Sequence, residues 1–477
     1  MLAITETNRR WWILTGASTG LFILMLDSTV VALALASIRR DLGSSTAGLQ
    51  WVQNVYLLTM AALVVTLGRA GDIFGRKRIF QAGMLAFGIG SVVSATSGDT
   101  SQLIVGRAVQ GVGAASLIAL SLAISTVAFP PEQRQRALGI WAAVSSLALA
   151  IGPLVGGTIV ELASWRWIFW VNVPLVIAAF LVMAVATPET RDETAERRLD
   201  VAGLVTVTLG LTASILALVQ GKQWGWQSAG TLGVLAAGLV LLAAFWLVEH
   251  RVSQPIVDFE LFRNGPYFGA SAAAVALVGS YWVVMFFQPQ YLELVLGYST
   301  LESGLLMLPV TAPMVAISPF AGRLTDRFGA RLLMTFGMAC GAAGMLVVTF
   351  VNGDTTYRLL LPGLLLFGVS LGFVYAPMSA AAMAALPAEK AGIASGVLAM
   401  TRTFAGALLL AVGGAVFQHI EIEQRADGES FDPAFADALA GSTWVLVAVL
   451  IVGTVLTAVF IRSAPNVHEP HHRRFHL

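Results

Sequence analysis

Residues 68–78 read GRAGDIFGRKR, and most of that stretch occurs a second time. Residues 322–331 read GRLTDRFGAR, so the pattern G-R-x-x-D-x-F-G stands at 68–75 and again at 322–329. Each copy follows an apolar run long enough to cross a bilayer and precedes another. A cationic, glycine-bounded turn between two membrane helices, once in each half of the chain, predicts a duplicated membrane protein.

Composition agrees. Of 477 residues, 57% are hydrophobic and 12% charged, with a mean hydropathy of +0.79; soluble domains carry about twice that share of charge. Net charge is +1 without a dense basic block, which gives no support for nucleic-acid binding. The single Cys340 excludes an internal disulfide and a cysteine metal cluster, and reads as a packed apolar residue. The histidines between 468 and 476 are either a metal-binding tail or a solvated terminus; solvation is the simpler reading, and no metal site is expected. Neither a G-x-x-x-x-G-K-[ST] loop nor an HExxH, GxSxG or His/Cys cluster occurs. The chain is therefore read as a non-enzyme without cofactors, driven by an ion gradient.

Spanning requires about 20 mostly apolar residues. Fourteen such runs are found, at about 11–37, 49–68, 79–97, 102–128, 137–161, 166–186, 201–219, 228–249, 266–296, 303–323, 331–351, 358–385, 392–419 and 438–462. The first run exceeds a signal-peptide core of roughly 7–15 residues and contains Asp27, so it reads as a retained helix. The repeated turn follows runs 2 and 10. This predicts an N-terminal six-helix half (1–186), a linker with two inserted helices (187–265), a C-terminal six-helix half (266–462) and a tail (463–477). With the N-terminus placed in the cytoplasm, inner segments hold 20 Lys and Arg and outer loops hold 6, which fixes both termini inside. Arg107 and Arg402 lie within runs.

Asp27, in LDSTVVALALASI (26–38), lies near mid-membrane. A carboxylate there costs several kcal/mol unless protonated or paired, which marks a proton-carrying site or a packed polar contact. Arg107, in LIVGRAVQGVGAA (103–115), is a permanent cation: either it answers the charge of a nearby acid, or it snorkels to the outer interface. In LALAIGPLVGGTI (147–159), Pro153 removes a backbone bond while Gly152, Gly156 and Gly157 permit close helix approach. Glu293, in FFQPQYLELVLGYS (286–299), is a second protonation site, a contact for cationic substrates, or an interfacial carboxylate facing water. Gln53, Asn54 and Tyr56, with Tyr281, Phe286, Gln288 and Gln290, are candidate cavity contacts, since amides and aromatics suit a lipophilic cation. Some of them serve packing.

Two six-helix halves with this repeated turn resemble the major facilitator superfamily, and two added central helices resemble its fourteen-helix drug:proton antiporter branch. The resemblance runs from about residue 11 to 462. It implies an all-α membrane bundle that exchanges protons for exported lipophilic or cationic drugs or antibiotics by alternating access. By that resemblance Asp27 stands where the branch carries an acid in helix 1, and Arg107, Gln110, Gly111 and Gly113 match a motif associated with proton coupling. Gly152, Pro153, Gly156 and Gly157 look like the antiporter motif. WRWIFWVNVP (165–174) is similar to the start of helix 6 in the branch, with a structural role. The turn residues Gly68, Asp72, Gly75, Arg76 and Asp326 would form a cytoplasmic latch, with a partner near Ala391. The acid that some relatives carry deep in span 10 is absent from 305–320, which weighs against doubly charged cations. Expected partners are a small amphipathic substrate, protons and membrane lipids, for a monomer in a bacterial cell membrane. A dedicated exporter of one natural product or lipid, and a proton-coupled symporter of a peptide or metabolite, are the alternatives.

Overall fold

The computed structural model describes residues 5–191, 199–253, 255–352, 355–386 and 391–461; the side chains of Asp326, residues 391–393 and a few other helical positions lie outside that description, as do the histidines of 468–476. All regular structure among the described residues is helical. The first six spans are α1 (Glu6–Leu42), α2 (Thr46–Phe74), α3 (Arg76–Ala95), α4 (Thr100–Val127), α5 (Pro131–Leu162) and the pair α6 (Trp167–Trp170) and α7 (Asn172–Ala186). The inserted spans are α8 (Val201–Trp224) and α9 (Ala229–Glu249). The last six are α10 (Gly265–Leu294), the pair α11 (Thr300–Leu306) and α12 (Leu308–Phe328), α13 (Ala330–Val348), α14 (Tyr357–Ala384), α15 (Ala391–Ala426) and α16 (Phe431–Phe460). Together these give 14 helical spans long and apolar enough to cross a membrane.

Two spans that read as continuous in sequence are broken, at Val171 and at Met307. Pro174 and Pro309 explain both breaks. A proline ring collides with the carbonyl four residues back, here Trp170 and Leu305, and donates no hydrogen bond. Pro153, by contrast, is held within an uninterrupted α5.

Helix ends are written into the sequence. Ser45, Asp99 and Asn264 each accept the backbone N–H three residues on, at 3.1, 2.9 and 3.2 Å, which satisfies one of the free donors of a helix start. Gly75 and Gly329, the last residues of the repeated motif, sit at φ +116° and +82°. Their N–H groups bond back to the carbonyls of Gly71 and Thr325, at 2.9 and 2.8 Å. One positive-φ residue thus ends α2 or α12 and starts the next helix, and that geometry explains why both copies finish in glycine.

α1 and α10 are the most enclosed spans, 83% and 89% buried over their apolar windows, whereas α9 is 17% buried. The first two therefore form the centre and α9 the rim, where Leu239 and Val240 are exposed as a lipid-facing surface requires. α8 packs on both α2 and α15, so the inserted pair lies along the seam between the two six-span halves. Lys222 of α8 adds a 3.2 Å hydrogen bond to His419 of α15.

Hydrogen bonds between the halves gather toward one face of the bundle, the face that carries the α1–α2 turn. Among the described residues these are Gln418 to the Gln50 side chain (3.2 Å), Thr300 N–H to Glu161 (3.1 Å) and, near mid-depth, Thr311 to the Ala150 carbonyl (3.3 Å). The Arg40–Glu293 ion pair, 3.6 Å long, crosses the same face. α5 is only 19% buried over its apolar window.

Placing a side chain at an extended positive-φ position costs about 1–3 kcal/mol. Gly329→Ala is therefore expected to lower the thermal unfolding midpoint of the purified protein. Gly322→Ala, inside α12 where an added Cβ meets nothing within 4 Å, is expected to leave it unchanged or raise it slightly, since alanine suits a helix interior better than glycine. Equal shifts would remove the turn explanation.

Candidate functional site

The site begins with one carboxylate. Asp27 is 2% exposed in the middle of α1 and cannot reach water, so its charge must be met by side chains. Arg107 of α4, 0% exposed, donates through Nη1 to Asp27 Oδ2 at 2.5 Å. The other oxygen, Oδ1, accepts from Asn172 Nδ2 of α7 at 2.8 Å and from Gln110 Nε2 at 3.2 Å. Gln110 also accepts from Arg107 Nη1 at 2.9 Å and donates to Ser91 Oγ of α3 at 2.8 Å. Tyr56 of α2 lies under the guanidinium, 4.1 Å from Cζ to ring centroid, and its hydroxyl is 3.3 Å from that of Ser28. Arg107 Nε reaches the Val52 carbonyl at 3.3 Å.

Helices α1, α2, α3, α4 and α7 thus converge on a single ion pair. The spacing in α4 makes this possible, because Arg107 and Gln110, three residues apart, face the same way. Arg107 does not reach the interface, so snorkelling is not its role in this structure. Arg107 Nη2 has no hydrogen-bond partner among the described residues. The cluster holds a cation that cannot release its proton beside an acid that can take one up.

The glycines of α5 lie directly against this segment. A Cβ on Gly152 would run into Thr29, and one on Gly156 would come 3.1 Å from Val30 Cα. On the other side a Cβ on Gly157 would come 2.7 Å from the Thr300 carbonyl oxygen, and one on Gly304 would meet the Pro153 carbonyl. α5 is therefore a thin spacer between the Asp27 stretch of α1 and α11 of the other half. Any larger residue at 152 or 157 would force the helices apart.

Glu293 is 8% exposed and does not face water. Its Oε2 accepts from Thr300 Oγ1 at 3.1 Å and lies 3.6 Å from Arg40 of α1. The candidate cavity residues divide. Tyr56 belongs to the ion-pair cluster, Phe286 packs edge-on against Phe287 at 4.8 Å, and Gln290 Nε2 donates back to the Phe286 carbonyl of its own helix at 2.7 Å. Gln53, Asn54, Tyr281 and Gln288 are buried, and each has a side-chain polar atom without a partner among the described residues. A 340 Å³ groove between α10 and α16 is lined by alanine, valine, Gly453 and Leu456. It lacks polar side chains and is separate from the cluster.

At the α2–α3 turn, Arg76 donates to Asp72 Oδ1 at 2.8 Å. The turn is tied to the segment after α7, where Arg76 N–H meets the Thr190 carbonyl at 2.8 Å and Lys77 N–H meets Glu189 at 3.0 Å. A Cβ added at Gly68 would make ordinary contact with Ala119. The Asp326 side chain and the latch partner expected near Ala391 lie outside the described residues. Sequence reasoning passed over Asn172 and Ser91. Asn172 sits in a tryptophan-rich stretch that reads as an interfacial anchor, and its one signal is an amide within an apolar run.

Removing one member of a buried pair strands the other, at about 3–5 kcal/mol. The carboxyl can neutralise itself by taking a proton; the guanidinium cannot. Asp27→Leu is therefore expected to lower the apparent unfolding midpoint more than Arg107→Leu, and the double variant less than Asp27→Leu alone. Additive losses, or the reverse order, would contradict the pairing.

A sequence model of the Major Facilitator Superfamily matches residues 17–410. The cephamycin export protein of Amycolatopsis lactamdurans is 34% identical over 477 aligned residues, covering 97% of this chain and 96% of that one. The puromycin resistance protein of Streptomyces alboniger is 33% identical, covering 94% and 90%. The tetracenomycin C resistance and export protein of Streptomyces glaucescens is 32% identical, covering 86% and 76%. Among solved structures, a D-xylose–proton symporter superposes with a TM-score of 0.68 at 15% identity, covering 96% and 99% of the two chains. A bacterial Spinster homologue in an inward-facing conformation gives 0.66 at 16%, covering 96% and 99%. Fourteen helical spans in this arrangement and a family match through most of the chain lead to one conclusion: the protein is a multi-pass membrane transporter of the Major Facilitator Superfamily.

Proposed function

We propose that the protein exports amphipathic small molecules, drugs or antibiotics among them, in exchange for protons. The observation that carries this reading is the fully buried Asp27 held by Arg107, Gln110 and Asn172. In this reading it is the acid that takes a proton inside the membrane, and the α5 glycines pack its segment toward the contact between the halves. Relatives named for cephamycin export, puromycin resistance and tetracenomycin export support outward movement of such molecules.

In this reading the face with the repeated turns is cytoplasmic, as the Lys and Arg distribution favours, and both termini lie inside a bacterial cell membrane. The chain works as a monomer among lipids, without enzymatic chemistry. The bonds Arg40–Glu293, Gln50–Gln418 and Glu161–Thr300 then close the outer side, so the structure faces the cytoplasm. Substrate entering from the cytoplasm displaces the proton of Asp27 to that side, Asp27 and Arg107 pair, and the change in α1–α5 packing passes to the α5–α11 contact. The outer bonds open, the substrate leaves outward, Asp27 takes up a proton from outside, and the return to the inward-facing arrangement carries that proton in. Gln53, Asn54, Tyr281 and Gln288 supply hydrogen bonds to substrate. Glu293 acts at the outer closure, and Asp72 with Arg76 stiffens the cytoplasmic turn.

The test is transport in proteoliposomes under an imposed proton gradient, with ethidium and puromycin as separate probes. One proton moving through 100 mV supplies about 2.3 kcal/mol, close to a fiftyfold accumulation. Accumulation is expected in the wild type and in Glu293→Gln, and is expected to disappear in Asp27→Asn. Accumulation surviving in Asp27→Asn moves the coupling elsewhere. Transport of puromycin alone marks a dedicated exporter, and failure to move either probe rejects the broad-substrate reading.

A further inference from the structure

Arg402 is a charge the exchange cycle leaves unused. It is the twelfth residue of α15 (Ala391–Ala426), about 16 Å along the axis from the helix start, and so lies well inside the span. Its Nη2 donates to Ser379 Oγ of α14 at 2.5 Å, and its Cζ stands 4.8 Å from the Tyr375 ring centroid. Arg402 Nε is buried without a hydrogen-bond partner. Among the described residues, none of its contacts is a carboxylate. Arg107 is answered by Asp27, and Glu293 by Arg40, but among the described residues Arg402 meets a hydroxyl and a ring face.

An arginine keeps its charge at any ordinary pH, and a charge without a counter-ion inside a span is costly. A cation–π contact of this kind offsets about 0.5–2 kcal/mol, not the whole cost. The surroundings are rich in donors. Tyr281 of α10, 8% exposed, has a hydroxyl without a partner and lies within electrostatic range of Tyr375. Trp282 packs where α15 has only Gly406. Arg402 and Ser379 thus meet at the Tyr375 ring, with Tyr281 within electrostatic range of that ring and Trp282 against the next turn of α15, and no carboxylate bonds the guanidinium among the described residues. That is the chemistry of a receptor for an anion on an aromatic body.

We propose that Arg402, with Ser379, forms an anion-accepting subsite that takes the carboxylate, sulfonate or phosphate group of an amphipathic molecule, whose apolar part lies on Tyr375 and Trp282. The inference rests on the transport reading for its substrate, and it shifts the favoured class from lipophilic cations to molecules carrying an acidic group. An anionic lipid headgroup offers the same chemistry.

Equilibrium binding without any gradient separates this proposal from the antiport reading. Fluorescence titrations of the purified full chain would compare dansylglycine with its uncharged amide. The wild type is expected to bind the carboxylate about tenfold tighter or more, as a hydrogen-bonded charge permits. Arg402→Gln is expected to lose that preference while binding the amide as before, and Arg402→Lys to keep most of it. Ser379→Ala should reduce the preference severalfold, and it carries the test if Arg402→Gln fails to fold. Repeating the titrations in phosphatidylcholine nanodiscs with and without phosphatidylglycerol identifies the source. Competition that requires Arg402 supports the subsite with a lipid headgroup as occupant, and lack of competition supports it with a substrate group. Equal binding of acid and amide by the wild type, absence of binding, or a preference preserved in Arg402→Gln overturns the proposal.

Discussion

A charge inside a bilayer needs a partner, and in this protein the need is met by drawing five helices around one carboxylate. Asp27 receives donors from α4 and α7, and Arg107 in turn stacks on Tyr56 of α2 and bonds Gln110, which reaches Ser91 of α3. The hydrophobic effect does little to join helices within lipid, where tails are as apolar as leucine. Polar convergence and close packing of small residues take its place. The first six spans are organised by both at once, since α5 approaches α1 through Gly152 and Gly156 beside the acid.

The same packing gives the ion pair reach. α5 is in contact with the Asp27 segment on one side and with the Thr300 backbone on the other. A small shift in α1 therefore has a short, rigid path to the other half. Close-packed helices do not deform continuously, so such a shift favours a switch between discrete arrangements. The hydrogen bonds on the α1–α2 face are few and polar, and bonds of that kind can be exchanged for water at modest cost.

Much of this was legible in the sequence because the membrane makes exceptions conspicuous. Asp27 and Arg107 stood out as charges in apolar runs, and their pairing follows from the scarcity of alternatives. The repeated turn announced two halves, and the structure adds that Gly75 and Gly329 share a positive φ. Other features were hidden for physical reasons. Asn172 is a neutral amide whose role appears only when α7 faces α1. The Arg40–Glu293 pair joins residues far apart in the chain, across a seam that no local pattern encodes. The amides of α10 look alike in sequence, yet Gln290 turns back on its own helix while Gln288 keeps a free oxygen. Arg402 was visible as an embedded cation, but its hydroxyl and ring partners could be seen only with α14 in place.

The central claim is that the exchanged proton resides on Asp27. Infrared difference spectroscopy of the purified protein, recorded as pH is lowered and again as a transported probe is added, reads the carbonyl stretch of a protonated carboxyl directly. The account predicts a band that grows on acidification, declines when the probe binds, and is missing from Asp27→Asn but present in Glu293→Gln. A band that persists unchanged in Asp27→Asn, or that vanishes in Glu293→Gln instead, would contradict it.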